Sequence, residues 1–445
     1  MKEENRRYAE EAFEIVEHAA KKIGSRLPGS DGEKEYAAYM GDKLRSIGIE
    51  PVREEFAVSP RASIGGIPYA GYLGLIMSAL VYVALHLSAV WYGMALASVV
   101  CWVWLILSVF LYKTWFDMFF KQEISQNTYG ELLPPDGKYD YTIILSGHTD
   151  TSWCWRHSAH ASKFKKTKPA MGLVATFAKV GFGVICFLFL TAVSIAMTVI
   201  SSGVYFGEVW ALKTANSASF ANFLFAMHFL PVVTAIGCMF VVMWADPNPR
   251  NASRGAMDNA TGCALSFAVT KYFHDHPEKM PKNCRIIDFN CGSEEAGLRG
   301  SIAFTREHKG EPILENTWNI NIDSVADKDF FEVVIKDDWQ FCRFDTDLEK
   351  MFKDTFNELG IVSKTNGCIH NPVGGCDSTP MTKAGMKSVT FAAQDPTLTH
   401  YYHTWHDMPE RFELETVGDG FDVILGVIDK IDKFQQANGF NGPQK

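Results

Sequence analysis

The sequence predicts an α/β domain whose mixed, mostly parallel sheet is flanked by helices, together with four transmembrane helices that are inserted as two hairpins. Two observations support this prediction. Strand-like and helix-like segments alternate through the polar parts of the chain, a pattern typical of a parallel sheet with helices on both faces. Four long apolar segments interrupt this alternation, and each is long enough to cross a bilayer.

Periodicity and turn residues place the elements of the α/β domain. The apolar segment 141–148 ends in polar residues, as a buried strand does, and Gly48 follows an amphipathic segment, as expected at a helix end. The predicted helices cover 4–23, 31–47, 255–273, 298–308, 345–359, 378–385 and 415–436. The predicted strands cover 50–58, 128–133, 141–148, 286–289, 317–323, 331–336 and 388–391.

The apolar residues are concentrated between Ala62 and Tyr112, where 51 consecutive residues include no Asp, Glu, Lys or Arg. This segment accommodates two membrane helices of about 20 residues each, which we place at 67–87 and 89–112. A second pair is predicted at 180–205 and 223–245. A large buried helical core is the alternative, but soluble domains rarely contain four such segments. The predicted division is 1–61, 114–170 and 246–445 for the discontinuous α/β domain, and 62–113 and 171–245 for the two hairpins.

The charge distribution predicts an integral, multi-pass membrane protein whose α/β domain is cytoplasmic. Each insertion is a hairpin, so all the polar segments lie on one side of the membrane. That side carries the basic residues near the membrane ends, Arg61, Lys113, Lys121, Arg156, Lys163, Lys165, Lys166 and Lys168. The opposite loops carry only Glu208 and Lys213, so the positive-inside rule places the domain in the cytoplasm. The N-terminus is charged and amphipathic, unlike a signal peptide.

Composition excludes two classes of protein. The net charge of −9 provides no basic surface for nucleic acid. The ten cysteines include no CxxC pair, so they form neither a zinc finger nor a disulfide framework. Scattered free thiols agree with a reducing compartment.

Polar residues follow several of the predicted strands, where an open α/β sheet binds its ligands. The adjacent carboxylates Glu294 and Glu295 come directly after the strand 286–289. An isolated Glu-Glu pair is usually a solvated surface feature, but here it belongs to a larger set that also includes His148, Asp150, Asp258, Asp323 and His403. Histidine and carboxylate ligands suit zinc, and a pair of metal ions needs a bridging carboxylate.

The motifs around these residues resemble those of the zinc-dependent exopeptidases, and most closely the dizinc aminopeptidases of metallopeptidase family twenty-eight in clan MH. The segments that carry the resemblance are 147–150 (GHTD), 255–262 (GAMDNATG), 292–297 (GSEEAG), 321–323 (NID), 374–377 (GGCD), 384–389 (AGMKSV) and 403–407 (HTWHD). They occur in the order of that family, and the resemblance covers 1–60, 114–155 and 246–437. The glutaminyl cyclases share this fold but use one zinc ion, so they match less well.

The resemblance implies the zinc exopeptidase fold, two Zn²⁺ cofactors and a role for each residue of the set. His148 and Asp323 would hold one zinc ion, and Glu295 and His403 the other. Asp258 would bridge the ions, followed in relatives by a cis peptide bond to Asn259. The five ligand positions are all retained in this sequence.

Two further roles concern residues that bind no metal. Asp150 would hold His148 in the tautomer that binds zinc. Glu294 would be the general base, taking a proton from a metal-bound water molecule that attacks the amide carbonyl. We expect His406 to be a surface or pocket residue, and His157 and His160 to be solvated.

The implied function is a membrane-anchored metallopeptidase, most simply an aminopeptidase whose substrate is a peptide or amide reached at the membrane. Glu294 or Asp377 could hold the substrate's α-ammonium group. An amidohydrolase acting on membrane-borne N-acyl amino acids or lipopeptides is the alternative. A receptor or scaffold with a relict site is disfavoured by the complete ligand set, and a transporter by the lack of Asp, Glu and Arg in the membrane segments.

The hairpins also predict where the site lies. If the first strand runs parallel to the His148 strand, both hairpins leave the domain from the carboxyl ends of strands. That edge of the sheet carries the catalytic residues. We therefore expect the active site to face the bilayer.

Overall fold

The structure, a computed structural model, describes residues 1–161, 170–205, 217–246, 248–372, 374–397 and 401–438. The segment 162–169 before the second predicted hairpin lies outside these residues, as does the loop between the third and fourth predicted membrane helices. The charged residues predicted there are likewise outside the described chain, namely Lys163, Lys165, Lys166, Lys168, Glu208 and Lys213. Before the first of these gaps, Arg156–Ala161 forms a short helix that was not predicted.

The strands form one mixed nine-stranded sheet within the described chain. They are β1 Val52–Val58, β2 Glu123–Leu132, β3 Tyr141–His148, β4 Cys284–Cys291, β5 Thr317–Val325, β6 Phe331–Asp337, β7 Cys342–Arg343, β8 Cys368–Asn371 and β9 Lys387–Ala393. Their order is β1-β2-β4-β3-β5-β9-β6-β7, and β8 pairs with β6. The short strands β7 and β8 were not predicted because neither has a long apolar segment.

The centre of the sheet is parallel, as the alternation of elements predicts. Strands β4, β3, β5 and β9 are parallel neighbours. Every residue of β3 and β4 is buried, as expected when helices cover both faces. The outer strands add antiparallel pairs, β1–β2, β2–β4, β6–β9 and β6–β7. Two successive antiparallel pairings make β1 parallel to β4, and therefore to β3.

Helices cover both faces of this sheet. The helices outside the apolar segments are α1 Arg6–Glu17, α2 Asp31–Ser46, α5 Arg156–Ala161, α8 Thr261–Asp275, α9 Arg299–Glu307, α10 Thr346–Glu358, α11 Ser378–Lys383 and α12 Leu414–Asn438. The larger core unites α1, α2, α8, α10 and α12 with one face of the sheet. A smaller core lies against α9 and α11 and includes Phe289 and Phe304, whose ring centroids are 4.6 Å apart.

The four apolar segments form the helices α3 Ile67–Ala84, α4 Ala89–Trp104, α6 Ala170–Tyr205 and α7 Ser217–Val242. A turn of π-helix carries α4 on to Phe110. All four are long and apolar enough to span a membrane. They pack together through small residues, with the backbone at Gly71 close to Val242, and through the hydroxyls of Ser78 and Thr234, 2.9 Å apart. Large apolar side chains point outward, such as Leu96, 68% exposed.

Both pairs of apolar helices depart from the same edge of the sheet. The first pair follows the carboxyl end of β1, and the second follows the carboxyl end of β3. Since β1 and β3 are parallel, both insertions leave from the edge at which the strands end in polar residues. The first strand is thus parallel to the His148 strand, as the prediction of an active site facing the bilayer requires.

The prediction that His157 is solvated is wrong. Its side chain is buried against α7, where Nε2 lies 2.9 Å from the carbonyl oxygen of Phe240. Burial lowers the pKa of His157, so the ring is neutral at physiological pH. His160 is exposed, as predicted, and its ring lies 5.6 Å from that of Trp405.

Candidate active site

Two groups of potential metal ligands share the carboxylate of Asp258 at the carboxyl edge of the sheet. One group is His148, Asp258 and Asp323, and the other is Asp258, Glu295 and His403. In each group, one ligand atom per residue lies within 4.8 Å of the others. The structure thus brings all five predicted ligands together.

The two oxygens of Asp258 point to different groups. Oδ1 lies 3.1 Å from His148 Nε2, and Oδ2 lies 2.9 Å from His403 Nε2. On the first side, Asp323 Oδ1 is 4.0 Å from His148 Nε2. On the second side, Glu295 Oε1 is 3.1 Å from His403 Nε2. Asp258 is therefore placed to bridge two cations, and its peptide bond to Asn259 is cis, as the resemblance predicts.

The chemistry of these donors fits zinc. Apart from its close approach to His403 Nε2, Glu295 Oε1 is buried without a hydrogen-bond partner within the described chain, so a ligand oxygen is left available. Burial raises the pKa of Glu295, and it raises the pKa of Asp323 to about 7. Buried carboxylates at such spacing are costly without cations to balance them. Two histidines and three carboxylates supply both the ligand types and the charge that zinc requires.

Asp150 connects the His148 ligand to the Glu294–Glu295 turn. Its Oδ1 lies 3.3 Å from His148 Nδ1. The same carboxylate accepts the backbone N–H groups of Glu294 and Glu295, each at 2.9 Å. Asp150 itself is fully buried. One side chain can therefore orient a zinc-binding ring and hold the turn that carries the proposed base.

Glu294 belongs to neither ligand group and is only half-buried. The turn that presents it is flanked by Ser293 and Leu298, which adopt left-handed φ angles of 55° and 60°. Burial raises the pKa of Glu294 well above its ordinary value. A carboxylate with a raised pKa next to a metal site is suited to accept and return a proton at neutral pH.

Several residues that support the site were not assigned from the sequence. Asp407 accepts the backbone N–H groups of Met257 at 2.8 Å and Asp258 at 3.1 Å. Glu33 accepts the N–H of Ser293 at 2.6 Å, and burial raises its pKa to about 8. Asp407 is the last residue of the motif 403–407, so the sequence did offer a signal that it belongs to the site. Nothing in the sequence distinguishes Glu33 from a solvated acid in the first turn of a helix.

Two further side chains surround the second ligand group. The ring of Tyr402 is stacked on His403 with centroids 3.8 Å apart. Trp155 meets His403 edge-on at 4.6 Å, and it also contacts Trp244, 4.7 Å away at the end of the second hairpin. The second apolar pair is thus connected to a ligand through one tryptophan.

The proposal that Asp377 holds the substrate's α-ammonium group does not agree with its contacts. The Asp377 carboxylate accepts the hydroxyl of Ser301 at 2.5 Å and the thiol of Cys291 at 2.8 Å, and it is 1% exposed. Both oxygens are therefore used inside the protein. His406 lies outside the ligand groups and is half-buried, with Nε2 3.3 Å from the Ala159 carbonyl oxygen, as expected for a residue near the site but not in it.

Comparison with known proteins agrees with this geometry. Residues 240–428 match the model of peptidase family M28. Residues 240–428 therefore belong to an M28 peptidase domain. The matched region contains Asp258, Glu294, Glu295, Asp323 and His403, whereas His148 and Asp150 lie before it. No protein of curated function matches the sequence of this chain.

Solved structures show the same fold. The zinc aminopeptidase of Bacillus subtilis is 13% identical, with a TM-score of 0.51 over 95% of each chain. An aminopeptidase from Aneurinibacillus sp. strain AM-1 is 12% identical, with a TM-score of 0.50 over 95% of this chain and 93% of that one. The glutaminyl cyclase of Bacteroides thetaiotaomicron is 13% identical, with a TM-score of 0.50 over 94% of this chain and 97% of that one. At these identities the likeness concerns the fold, and with the family match it identifies a zinc-dependent peptidase.

Proposed function

We propose that this M28 protein is a membrane-anchored dizinc aminopeptidase that removes residues from peptides with a free N-terminus. The observation that carries the proposal is the Asp258 carboxylate, whose two oxygens face two separate His-carboxylate pairs. A half-buried carboxylate, Glu294, stands beside both pairs without joining either. This is the arrangement that two-metal hydrolysis of an amide requires.

Different residues of the chain would bind the metal ions, transfer the proton and orient these groups. The two ligand groups would hold one Zn²⁺ each and share Asp258. Zinc, when bound, would polarise the scissile carbonyl and lower the pKa of water to about 7. Glu294 takes the proton from the attacking water molecule and returns it to the leaving amine. Asp150 fixes the backbone of Glu294 and the ring of His148 in the same contact network.

The position of the hairpins supports an active site at the membrane surface. The β6–β7 turn packs against the end of α4. There the Trp339 and Phe110 rings are 4.4 Å apart, and Gln340 donates a hydrogen bond to the Phe110 carbonyl oxygen at 2.6 Å. Around this junction four large apolar side chains are exposed to at least 69%, and they are Trp115, Met118, Phe119 and Phe341. Trp is enriched where a protein meets the headgroup layer, and exposed apolar side chains such as Phe are buried favourably at that boundary.

This exposed apolar surface also favours the second candidate, an amidohydrolase of membrane-borne N-acyl amino acids or lipopeptides. A lipid-anchored amide would reach the same site from the bilayer. The two functions are distinguished by the substrate's amino end. An aminopeptidase cleaves free amino-acid amides, whereas the amidohydrolase cleaves their N-acylated forms.

The proposed orientation places the peptidase domain in the cytoplasm. Its support is the charge at the described membrane ends, where Arg61, Lys113, Lys121 and Arg156 all lie on the side of the sheet. The acids and cations of the opposite loop lie outside the described residues. An impermeant thiol reagent applied to sealed vesicles would test this orientation with a cysteine introduced at an exposed site of the domain.

Zinc analysis and one substitution test the catalytic proposal. Protein purified without chelators should contain about two zinc ions per chain. Glu294→Gln should retain that zinc and lose hydrolysis of free amino-acid amides by at least about a hundredfold. Glu307→Gln, an exposed glutamate in α9, is the matched control and should keep wild-type activity. A fully active Glu294→Gln protein, or one zinc ion per chain, contradicts the mechanism.

A further inference from the structure

The first hairpin ends at a residue that enters the active site. Tyr112 follows the last turn of α4, has a left-handed φ of 54°, and is 7% exposed. Its ring lies against two glycines of the site. A Cβ atom at Gly297 would lie 3.1 Å from the ring, and one at Gly375 only 2.8 Å away. The ring therefore fills the space between the Glu294 turn and the 374–375 loop.

One arginine holds the main chain around Tyr112 in place. Arg299, which begins α9 directly after the Glu294 turn, donates from Nη1 to the Tyr112 carbonyl oxygen at 3.3 Å. Its Nη2 makes an ion pair with Asp117 at 3.3 Å, and its Nε donates to the Ala296 carbonyl at 3.1 Å. The side chain of Arg299 is 4% exposed. Because this buried guanidinium contacts both segments, the exit of the hairpin and the Glu294 turn are held together as one unit.

The phenol of Tyr112 lies between the Glu294 turn and the 374–375 loop. A tyrosine hydroxyl is protonated at neutral pH and can donate a hydrogen bond. No group in the described part of the chain is bonded to this hydroxyl. It lies 3.6 Å from the position that a Cβ atom would occupy at Gly374.

A cavity lies next to the same side chain. Tyr112 and Leu298 both line a cavity of about 830 Å³ that extends between the end of the hairpin, α9 and α11. Tyr112 thus borders the cavity and is also close to Glu294. Under the proposed mechanism Glu294 returns its proton to the leaving amine, so this is the side of the site that receives the leaving part of the substrate.

We infer that Tyr112 is a substrate-contacting residue on the leaving-amine side, where its hydroxyl donates a hydrogen bond to an acceptor in the leaving part of the substrate. The inference rests on the proposed peptidase function. It makes the first membrane hairpin a part of the active site as well as an anchor. It also identifies the favoured substrate class as peptides whose leaving part offers a carbonyl or carboxylate oxygen.

Two substrates separate this role from a structural one. A dipeptide leaves an amino acid, which has an oxygen that Tyr112 can contact, whereas an amino-acid amide leaves only ammonia. Tyr112→Phe should lower kcat/KM for the dipeptide about threefold to tenfold, the effect of one lost hydrogen bond. The same variant should stay within about twofold of wild type on the amide, with unchanged zinc content. Tyr72→Phe removes a hydroxyl from an exposed position of the same hairpin and should change neither value.

A second variant tests the wall formed by the ring. Tyr112→Ala should raise the ratio of kcat/KM for bulky over small leaving amines, because the site then opens toward the cavity. Equal ratios in wild type and Tyr112→Ala, or equal losses on dipeptide and amide in Tyr112→Phe, contradict the inference and indicate a purely structural residue.

Binding provides a readout that does not depend on turnover. A phosphinic dipeptide analogue contains the leaving part, and an amino-acid hydroxamate does not. Tyr112→Phe should bind the phosphinic analogue about threefold to tenfold more weakly and the hydroxamate equally well. Wild-type protein that cleaves neither substrate contradicts the proposed function, while the difference between the two ligands still decides the role of Tyr112. Equal affinities in wild type and variant overturn the inference.

Discussion

The Asp150 carboxylate lies 3.3 Å from His148 Nδ1 and accepts the backbone N–H groups of both Glu294 and Glu295. Asp150→Asn exchanges one acceptor oxygen for an N–H donor, which faces either the imidazole or a backbone N–H. We expect the zinc affinity to fall about tenfold to a hundredfold, as for other residues that orient metal ligands. Competition with a graded series of chelators measures this.

The control for Asp150 is Asp136→Asn, an exposed position in the turn before β3. It should leave the zinc affinity unchanged. Wild-type zinc affinity in Asp150→Asn would show that His148 is oriented without the carboxylate, and that the Glu294 turn does not depend on it.

Asp407 performs the equivalent task for Asp258. It accepts the N–H groups of Met257 and Asp258 and is 1% exposed. In Asp407→Ala the two N–H groups stay buried without acceptors, at a cost of about 1–3 kcal/mol for each. We expect lower thermal stability and loss of zinc at chelator concentrations that wild type resists. Differential scanning calorimetry with and without added zinc would show whether the metal restores stability; a variant as stable and as zinc-rich as wild type contradicts the role.

The buried carboxyl group of Glu332, which lies outside the active site, should make the stability of the protein depend on pH. It lies in β6, is 1% exposed, and burial raises its pKa from 4.5 to about 8. The folded state therefore binds this proton more tightly than the unfolded chain does. The protonated Glu332 carboxyl stabilises the folded state fully below about pH 4.5. This contribution to the free energy of unfolding is lost as the pH rises to about 8. Glu332→Gln should raise the unfolding temperature at pH 8.5 relative to wild type and lose this advantage at pH 5.

Thermal unfolding between pH 5 and pH 9 measures this difference. Glu35→Gln, an exposed glutamate of α2, should give a curve parallel to that of wild type. If Glu332→Gln also stays parallel to wild type, the proton is not retained in the folded state.

A label at Phe341 would test the proposed contact between the bilayer and the carboxyl edge of the sheet, where the candidate active site lies. It is 85% exposed and lies in the β6–β7 turn that leans on Phe110, whereas Val362 is 87% exposed and lines a cavity beside Met1 and Asp419. A spin label at Phe341→Cys in reconstituted protein should be relaxed more strongly by oxygen than by a water-soluble nickel complex. The label at Val362→Cys should show the reverse. Equal accessibility of both labels to the nickel complex contradicts a membrane-facing edge.

The sequence predicted which polar residues come together because strand ends are visible in it. His148 and Asp323 lie at or near the ends of apolar segments, and parallel strands bring such ends to one edge. The assignment of five of these residues to two metal ions, with Asp258 shared, came from the family resemblance. The helices and long strands also followed from periodicity, although β2 begins at Glu123, five residues before its predicted start at Thr128, because its polar first residues pair with β1.

The residues that the sequence did not reveal act through contacts distant along the chain. Glu33 binds Ser293 across 260 positions, and Arg299 binds Tyr112 across 187. No local pattern encodes such partners. The incorrect predictions for Asp377 and His157 have the same origin. The Asp377 carboxylate accepts a hydrogen bond from Ser301 in the interior, and the His157 ring is buried against the carbonyl oxygen of Phe240.

The order of the strands has a consequence for how this protein is made. In the sheet β4 lies between β2 and β3, and β3 pairs only with β4 and β5 within the described chain. Both β4 and β5 follow α7, the last of the four apolar helices. During synthesis β3 therefore has no partner strand until both hairpins have left the ribosome. A chain that ends before β4 would leave β2 and β3 with open edges, which favour aggregation. Completion of the sheet therefore waits for the synthesis of all four apolar helices.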